Sequence, residues 1–386
     1  MSRRGGPTIS RESLHIGIDA RNLTVQQSGI GRYLVETTRH LVRQGCAVTL
    51  YLPQPPHHSS PSIDGARLVV SNYRSPPARM FWGQTVLPRQ VASDGVDVFW
   101  GPAHRLPARL AAPIPKVLTV LDLVWIHAAR TMRRRTYMGE RFFMGPAVRA
   151  ADAIVTISEA TARDLLARYE LPHDRVETIY PGAAALVEGR DPNLLRRLGL
   201  EGGYALFVGT LEPRKNLPRL IDAYSRLEPA LRSRCRLALA GGRGWRQQDL
   251  ADLAARAGLS SGEVIPVGYL NEGELGQLYA HARFIAMPSL YEGFGLPIVE
   301  ANAFGVPVLT SDRSSMPEVA GRAGRLVNPF DANDIARGFR ELVEDNELHA
   351  TLAAAARENA RRFDWGRSTA RIVELFERVV AERRQA

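Results

Sequence analysis

The sequence predicts an α/β protein built from two doubly wound, Rossmann-like domains. Three observations carry that expectation. The chain has 386 residues, long for one domain and comfortable for two. Short apolar runs alternate with segments of helical spacing, the pattern of β–α–β units and parallel sheets. The alternation runs twice, interrupted by a polar stretch after Tyr180-Pro181-Gly182. Two such series predict two helix-covered sheets facing each other across a cleft. Ligands are expected at the carboxyl ends of the strands.

The first series opens with Leu14–Ala20 as a buried strand. The loop Arg21–Gly31 follows, then a helix at Arg32–Arg43 and a strand at Ala47–Leu52. Pro53–Pro61 is rich in Pro, His and Ser and reads as a loop. Arg67–Val70, Val96–Trp100, Val117–Leu121, Ala153–Ile157 and Val176–Ile179 are the remaining strands of this half. Gly189, Asp191 and Pro192 mark the linker. The second series has strands at Tyr204–Val208, Arg236–Ala240, Val264–Pro266, Phe284–Met287 and Val306–Leu309. Its helices are Leu217–Arg226, Gln247–Ala257, Asn271–His281 and Pro297–Ala303. Trp365–Arg384 has strong helical spacing and is placed to pack back on the first domain. The expected division is therefore 1–183, a linker at 184–200, a second domain at 201–362, and a C-terminal helix at 363–386.

Composition narrows the function. Apolar content of 45% and charged content of 23% are those of a globular domain. The two cysteines, Cys46 and Cys235, are too few and too far apart for a disulfide framework or a zinc site, and read as buried thiols in a reducing compartment. No apolar stretch follows the two arginines of Met1–Pro7, so no signal peptide is expected. No apolar run is long enough to span a bilayer. A cytoplasmic location follows as the expectation.

The net charge of +10 is uneven. Residues 1–183 carry 23 basic and 14 acidic side chains, a net of +9, and residues 184–386 carry 27 and 26, a net of +1. No RNA-binding module or zinc finger accompanies this excess, so nucleic acid is not the expected partner. Arg130, Arg133, Arg134, Arg135, Arg141 and Arg149 are interleaved with Met132, Tyr137, Met138, Phe142, Phe143 and Met144. Two readings stay open: a basic amphipathic helix touching the anionic cytoplasmic face of the inner membrane, or a solvated arginine face over an ordinary core stripe. Arginine supplies 48 of the 50 basic residues, and lysine stands only at Lys116 and Lys215. A lysine in such a chain marks a place suited to a compact point charge.

The chemistry concentrates in two segments. Glu292-Gly293-Phe294-Gly295-Leu296-Pro297-Ile298-Val299-Glu300 sets two carboxylates around a helix start. Proline favours the first helical position, and a glycine-bearing approach to a helix N-terminus suits an anion. Glu292 is expected before the helix and Glu300 in its first turn. The N–H groups of Gly295 and Leu296 are expected to face one space. Such a carboxylate spacing alone usually means a dipole-complementing residue and a solvated loop charge. The second segment changes that reading. Gly209-Thr210-Leu211-Glu212-Pro213-Arg214-Lys215-Asn216 puts two adjacent cations after a strand and before a helix. Arginine grips two oxygens at once and lysine adds a mobile charge, which fits a diphosphate. Phosphate flanked by groups that bind hydroxyls suggests a nucleotide-sugar. In the first half, Ser28-Gly29-Ile30-Gly31-Arg32-Tyr33 opens a helix without the full dinucleotide fingerprint. The chain has no Asp-x-Asp, so a chelated donor metal has no obvious ligands.

In order, SGIGRY, LDL at Leu121–Leu123, IVTISEAT at Ile154–Thr161, VGTLEPRKN and EGFGLPIVE resemble the GT-B glycosyltransferases of family 4. The likeness is greatest to the bacterial mannosyltransferase-like branch of O-antigen and surface-polysaccharide synthesis, and runs from about Leu14 to about Arg384. The resemblance implies a retaining, metal-independent enzyme with no cofactor beyond its nucleotide-sugar, GDP-linked by preference. It implies a glycan or lipid-linked glycan as acceptor, bound by the first domain. It implies that Arg214 and Lys215 hold the donor diphosphate, beside Gly209 and Thr210, and that Glu300 binds the ribose. Glu292, with backbone groups from Gly293, Phe294, Gly295 and Leu296, would position the sugar. Gly31 would meet the phosphate from the first domain. Val267–Leu270, including Tyr269 and Leu270, would lie near the base. Asp122 joins Glu292, Arg214 and Lys215 as a catalytic candidate. Retention in the family is attributed to front-face substitution, with the departing phosphate taking the acceptor's proton. No enzyme nucleophile is then needed.

One position departs from the pattern. Relatives commonly have His-Asp where this chain has Leu121-Asp122. Either a neighbour compensates, or the donor has an apolar C6, as in rhamnose. His127 is a candidate substitute, although it reads as a loop residue. Two other functions compete. A nucleotide-sugar 2-epimerase shares the architecture but leaves the paired glutamates without a role. A non-catalytic basic nucleotide or polyanion binder leaves the whole Glu292/Glu300 and Arg214/Lys215 set without one.

Overall fold

A computed structural model describes residues 14–26, 29–110, 112–183, 186–242 and 250–385. The chain divides into two compact units. Unit 1 comprises Met1–Leu123, Arg135–Gly182 and Asp364–Ala386, and unit 2 comprises Val124–Arg134 and Ala183–Phe363. Val124–Arg134, part of the first half in sequence, therefore groups with the second unit.

Among the described residues, unit 1 holds seven strands: β1 His15–Asp19, β2 Ala47–Leu52, β3 Ala66–Val70, β4 Val98–Gly101, β5 Lys116–Val120, β6 Ala153–Thr156 and β7 Val176–Thr178. They form one parallel sheet in the order β3-β2-β1-β4-β5-β6-β7. Strands buried on both faces read as continuous apolar runs, and β4, β5 and β6 are buried almost throughout. The edge strand β3 leaves Leu68 and Val70 exposed. β1 and β4 are neighbours in space but not in sequence, which makes their carboxyl ends a topological switch point.

The helix Gly29–Arg43 buries Tyr33, Leu34, Thr37, Thr38 and Leu41, residues three and four apart on one face. It begins three residues before the expected Arg32, so Gly29 to Gly31 form its first turn rather than an approach loop. The C-terminal helix Trp365–Gln385 packs on unit 1, as its spacing suggested. Tyr33 lies 6.0 Å from both Trp100 and Trp365, and Phe376 lies 6.1 Å from Trp100. Arg371 and Arg378 pair with Glu177 at 2.9 and 3.2 Å. Exposed pairs of this kind contribute well under about 1 kcal/mol each, so the apolar face carries the packing.

Unit 2 holds β8 Tyr204–Val208, β9 Arg236–Ala240, β10 Val264–Gly268, β11 Phe284–Met287, β12 Val308–Ser311 and β13 Gly324–Val327. All pair in parallel, in the order β10-β9-β8-β11-β12-β13. The switch point here is β8/β11. One core joins Phe207, Leu220, Tyr224, Phe284 and Phe339, with Phe284 and Phe339 edge-to-face at 4.8 Å. The first part of the expected helix Gln247–Ala257 lies outside the described residues, and the described part is helical at Leu250–Arg256. Among the described residues, no helix is long and apolar enough to cross a membrane.

Several elements escape sequence reading. Helices Pro76–Phe81 and Leu87–Ser93 flank a π-helical turn at Trp82–Val86. Their prolines look like breakers but stand in first turns, where a missing N–H costs nothing. β13 and the helices Ala332–Glu344 and Asn346–Ala360 complete unit 2.

Candidate active site

The strand order of unit 2 brings the loop after β8, Gly209–Lys215, beside the loop after β11, Pro288–Gly295. The Leu290 N–H donates to the Arg214 carbonyl at 2.8 Å and ties the two. Arg214 and Lys215 end a single 3-10 turn, Pro213–Lys215. Asn216 follows in the left-handed region (φ 62°), which asparagine tolerates better than most residues. Its side-chain amide donates to the Pro288 and Pro329 carbonyls at 3.0 and 2.7 Å, fixing the turn.

This turn delivers both cations to one carboxylate. Lys215 Nζ lies 2.6 Å from Glu292 Oε1, and the Arg214 guanidinium pairs with Glu292 Oε2. Ser289 Oγ donates to Glu292 Oε1 at 3.0 Å. Glu212 holds the far side of Arg214, Nε to Oε2, at 3.0 Å. Glu292 and Lys215 are both buried. A buried charge persists only when paired and hydrogen-bonded. Burial opposes ionisation of Glu292, but Arg214 and Lys215 outweigh it and hold its pKa down at about 2. Lys215 moves the same way for a different reason: its own burial overcomes the pull of Glu292 and lowers its pKa. The Glu292 carboxylate is secure even so, because Arg214 alone keeps a permanent positive charge on it.

The carboxylate is anchored from its backbone as well. Ser314 Oγ donates to the Glu292 carbonyl, and Ser315 Oγ donates to the carbonyls of Glu292 and Phe294, both at 2.9 Å. Gly295 then takes φ 104°, a conformation side chains rarely adopt, and caps the helix Leu296–Ala303. That helix begins on Leu296 rather than Pro297. Glu300 is therefore its fifth residue and lies past the first turn, a correction to the position expected from the proline. Glu300 is buried, and its Oε2 accepts from the Tyr279 hydroxyl at 2.7 Å.

The neighbouring strand ends complete the edge. Gly209 N–H donates to the Ala240 carbonyl at 3.0 Å, and Gly241 N–H to the Gly268 carbonyl at 2.8 Å. The Lys215 stem runs over Gly209, while Thr210 is exposed. Tyr269 and Leu270 follow β10 directly, on the same carboxyl edge, Tyr269 exposed and Leu270 half-buried. His127 is not a loop residue: it ends the short helix Val124–His127 and stacks on Tyr291 at 5.1 Å and 12°.

Gly31 and Asp122 belong to unit 1, Gly31 in the first turn of its helix and Asp122 just beyond β5. At the expected His position, Leu121 is buried. A different histidine serves that turn. His104 Nε2 accepts the N–H groups of Leu121 and Asp122 at 2.8 and 3.3 Å. Its Nδ1 faces Glu140 Oε2 at 3.1 Å. These partners assign the proton to Nδ1. Burial opposes a charge on the ring, but Glu140 outweighs it and raises the His104 pKa. His104→Ala leaves two buried amides and a carboxylate short of a partner. We expect a loss of about 3 kcal/mol in urea unfolding. A loss too small to measure would show that water replaces the ring.

Sequence reasoning missed Ser289, Tyr279, Ser314, Ser315 and the His104–Glu140 pair. Only Ser289, three residues before Glu292, carried a local signal. The others act across strand crossovers.

Residues 27–184 match the model described as Glycosyltransferase Family 4, and residues 197–359 match Glycosyl transferases group 1. The chain is 30% identical over 370 residues to O-antigen chain mannosyltransferase B of Escherichia coli, covering 90% of this chain and 96% of that protein. It is 29% identical to a D-inositol 3-phosphate glycosyltransferase of Nocardioides sp., covering 98% and 91%. Among solved structures, sucrose-phosphate synthase of Thermosynechococcus elongatus superposes with TM-score 0.76 at 18% identity, covering 96% and 100%. HepE of Anabaena, in complex with UDP and glucose, superposes with TM-score 0.73 at 20% identity, covering 94% and 98%. With paired cations and carboxylates at the switch point of a parallel sheet, and both halves matched by glycosyltransferase models, the chain belongs to the GT-B glycosyltransferases of family 4.

Proposed function

We propose that this glycosyltransferase moves mannose, or a 6-deoxy hexose such as rhamnose, from a GDP-sugar to a lipid-linked glycan of a surface polysaccharide. It acts with retention and without a metal, at the cytoplasmic face of the inner membrane. The observation that carries the reading is the cluster of half-buried Arg214 with buried Lys215 and Glu292 at the β8/β11 switch point. The O-antigen mannosyltransferase among the relatives supports the sugar and the pathway.

In this reading Arg214 and Lys215 bind the donor diphosphate, with Gly209 and Thr210 around it. Fixed cations gain strength as the leaving diphosphate gains charge, which is where they accelerate the reaction. Glu292 orients these cations and, with Gly293 to Leu296, the sugar. Glu300 takes the ribose, Tyr269 and Leu270 border the base, and Asp122 lies by the acceptor. The bond from the anomeric carbon to the phosphate oxygen breaks. The acceptor oxygen bonds on the same face, and its proton passes to the departing phosphate.

A donor panel tests this. GDP-mannose, GDP-rhamnose, UDP-glucose and dTDP-rhamnose are incubated with acceptor, and the product's anomeric configuration is read by NMR. Retained configuration with a GDP-sugar is expected. An inverted product, or no transfer and no hydrolysis from any donor, refutes the proposal. Leu121 offers no hydrogen bond to a C6 hydroxyl, so a preference for GDP-rhamnose over GDP-mannose would assign it to a 6-deoxy donor. Preference for the 6-hydroxylated sugar assigns Leu121 to exchange with compensation. Tyr279→Phe removes a hydrogen bond from buried Glu300. We expect donor KM to rise about tenfold, equivalent to about 1.4 kcal/mol, with kcat little changed.

A further inference from the structure

Two helices of unit 1 place large apolar side chains in solvent. Met80 and Phe81 of Pro76–Phe81 are 50% and 57% exposed, and Met138 and Phe142 of Arg134–Ala150 are 44% and 61% exposed. Met80, Met138 and Phe142 border a single groove of about 550 Å³. Among the described residues, the charged side chains lining it are Arg21, Arg79, Arg105 and Arg135, with no carboxylate beside them. Arg21 pairs with Asp19 at 2.6 Å and Arg105 with Glu140 at 3.5 Å, so their charge is partly offset.

A crevice of about 130 Å³ adjoins this groove at the β1/β4 switch point and shares Arg21, Asn22 and Arg105 with it. Asp19 and Glu140 line the crevice beside His104 and balance its arginines. Crevice and groove together present charge-balanced hydrogen-bonding groups, cations and exposed hydrocarbon. That combination matches an amphiphile with a neutral polyol, an anion and an apolar tail. Arginine suits phosphate oxygens, and an apolar patch this concentrated marks a binding surface. The concave shape favours a single molecule over the plane of a bilayer.

We propose that the groove holds the lipid-phosphate end of the acceptor: the anion against Arg79 and Arg135, the first hydrocarbon units along Met80, Met138 and Phe142, and the sugar beyond the phosphate directed to the crevice. This rests on the lipid-linked acceptor proposed above and adds where its anchor sits.

Calorimetry on the full chain tests it with a C15 isoprenyl diphosphate, and with inorganic diphosphate and the C15 alcohol as its two halves. The whole amphiphile is expected to bind at least tenfold more tightly than either half. Phe142→Ser and Arg135→Gln lie at exposed positions, and circular dichroism checks that each is folded. Each should weaken the amphiphile about tenfold. Each should also raise KM for a lipid-linked acceptor about tenfold, while KM for the same glycan as a soluble glycoside and the rate of donor hydrolysis stay unchanged. Equal effects on both acceptors, or unchanged affinity for the amphiphile, overturn the assignment. So does loss of binding to phosphatidylglycerol vesicles with amphiphile affinity intact, which would make the patch a bilayer contact. The calorimetric arm needs no sugar donor, so its failure is distinguishable from failure of the proposed transfer reaction.

Discussion

Glu292→Gln is expected to cut sugar transfer by a factor on the order of 10³ and to weaken the fold at the same time. The amide keeps the shape and the Ser289 contact but leaves Arg214 and Lys215 as adjacent cations around a neutral group. Removing one partner of a buried pair costs about 3 kcal/mol. Lys215 moderates the loss by giving up its proton, a change its lowered pKa already favours. The pH dependence identifies the source. The Glu292 carboxyl is depressed in the folded chain, from 4.5 to about 2. Its stabilisation is therefore present above pH 4.5 and is lost as pH falls towards 2. At about 1.4 kcal/mol per pH unit, roughly 3 kcal/mol disappears across that window. In Glu292→Gln this component is absent, so urea midpoints should vary less between pH 4.5 and 2 than in wild type. Wild-type kcat in the variant would exclude Glu292 from the reaction. An unchanged acid profile would place its stabilising contribution elsewhere.

Gly241→Ala is the second large effect. Gly241 has φ 144°, and an added Cβ would collide with the Gly209 carbonyl. Backbone strain of this kind costs about 1–3 kcal/mol, and here a peptide group rather than a flexible side chain has to move. Gly209 carries the stem of Lys215, so the strain reaches the cation turn directly. We expect a loss of about 3 kcal/mol in unfolding and a tenfold or greater rise in donor KM. Gly242→Ala is the control: among the described residues, a Cβ there meets nothing within 4 Å. Equal effects from the two substitutions would show that general loop stiffening, not the contact with Gly209, is responsible.

The central strands were legible because burial on both faces turns them into uninterrupted apolar runs. Tyr204–Val208, Arg236–Ala240 and Phe284–Met287 form as their sequence indicates. Ends shift by one or two residues, as Val98–Gly101 does, because backbone pairing outlasts side-chain periodicity. The paired glutamates and the Arg-Lys step were visible as local motifs. Their mutual pairing was not, since Arg214 and Glu292 stand 78 residues apart and meet only through the β8/β11 adjacency. Read separately, cations and carboxylate are assigned to different parts of a ligand. Their contact makes them one charged unit. The His104 contacts to Leu121 and Asp122 were hidden for the same reason, because they depend on how β4 and β5 lie together.

The C-terminal helix has a consequence for the order of events during synthesis. Both ends of the described chain, from Leu14 onward and Trp365–Gln385, lie in unit 1, while Ala183–Phe363 of unit 2 forms the interior of the sequence. On the ribosome, unit 2 has all of its residues before unit 1 has its last helix. Until then Tyr33 lacks its Trp365 neighbour and Trp100 lacks Phe376. The nascent seven-stranded sheet must wait, partly uncovered, for Trp365–Gln385. A stop codon shortly before Trp365 would therefore release a chain with a complete unit 2 and an aggregation-prone unit 1.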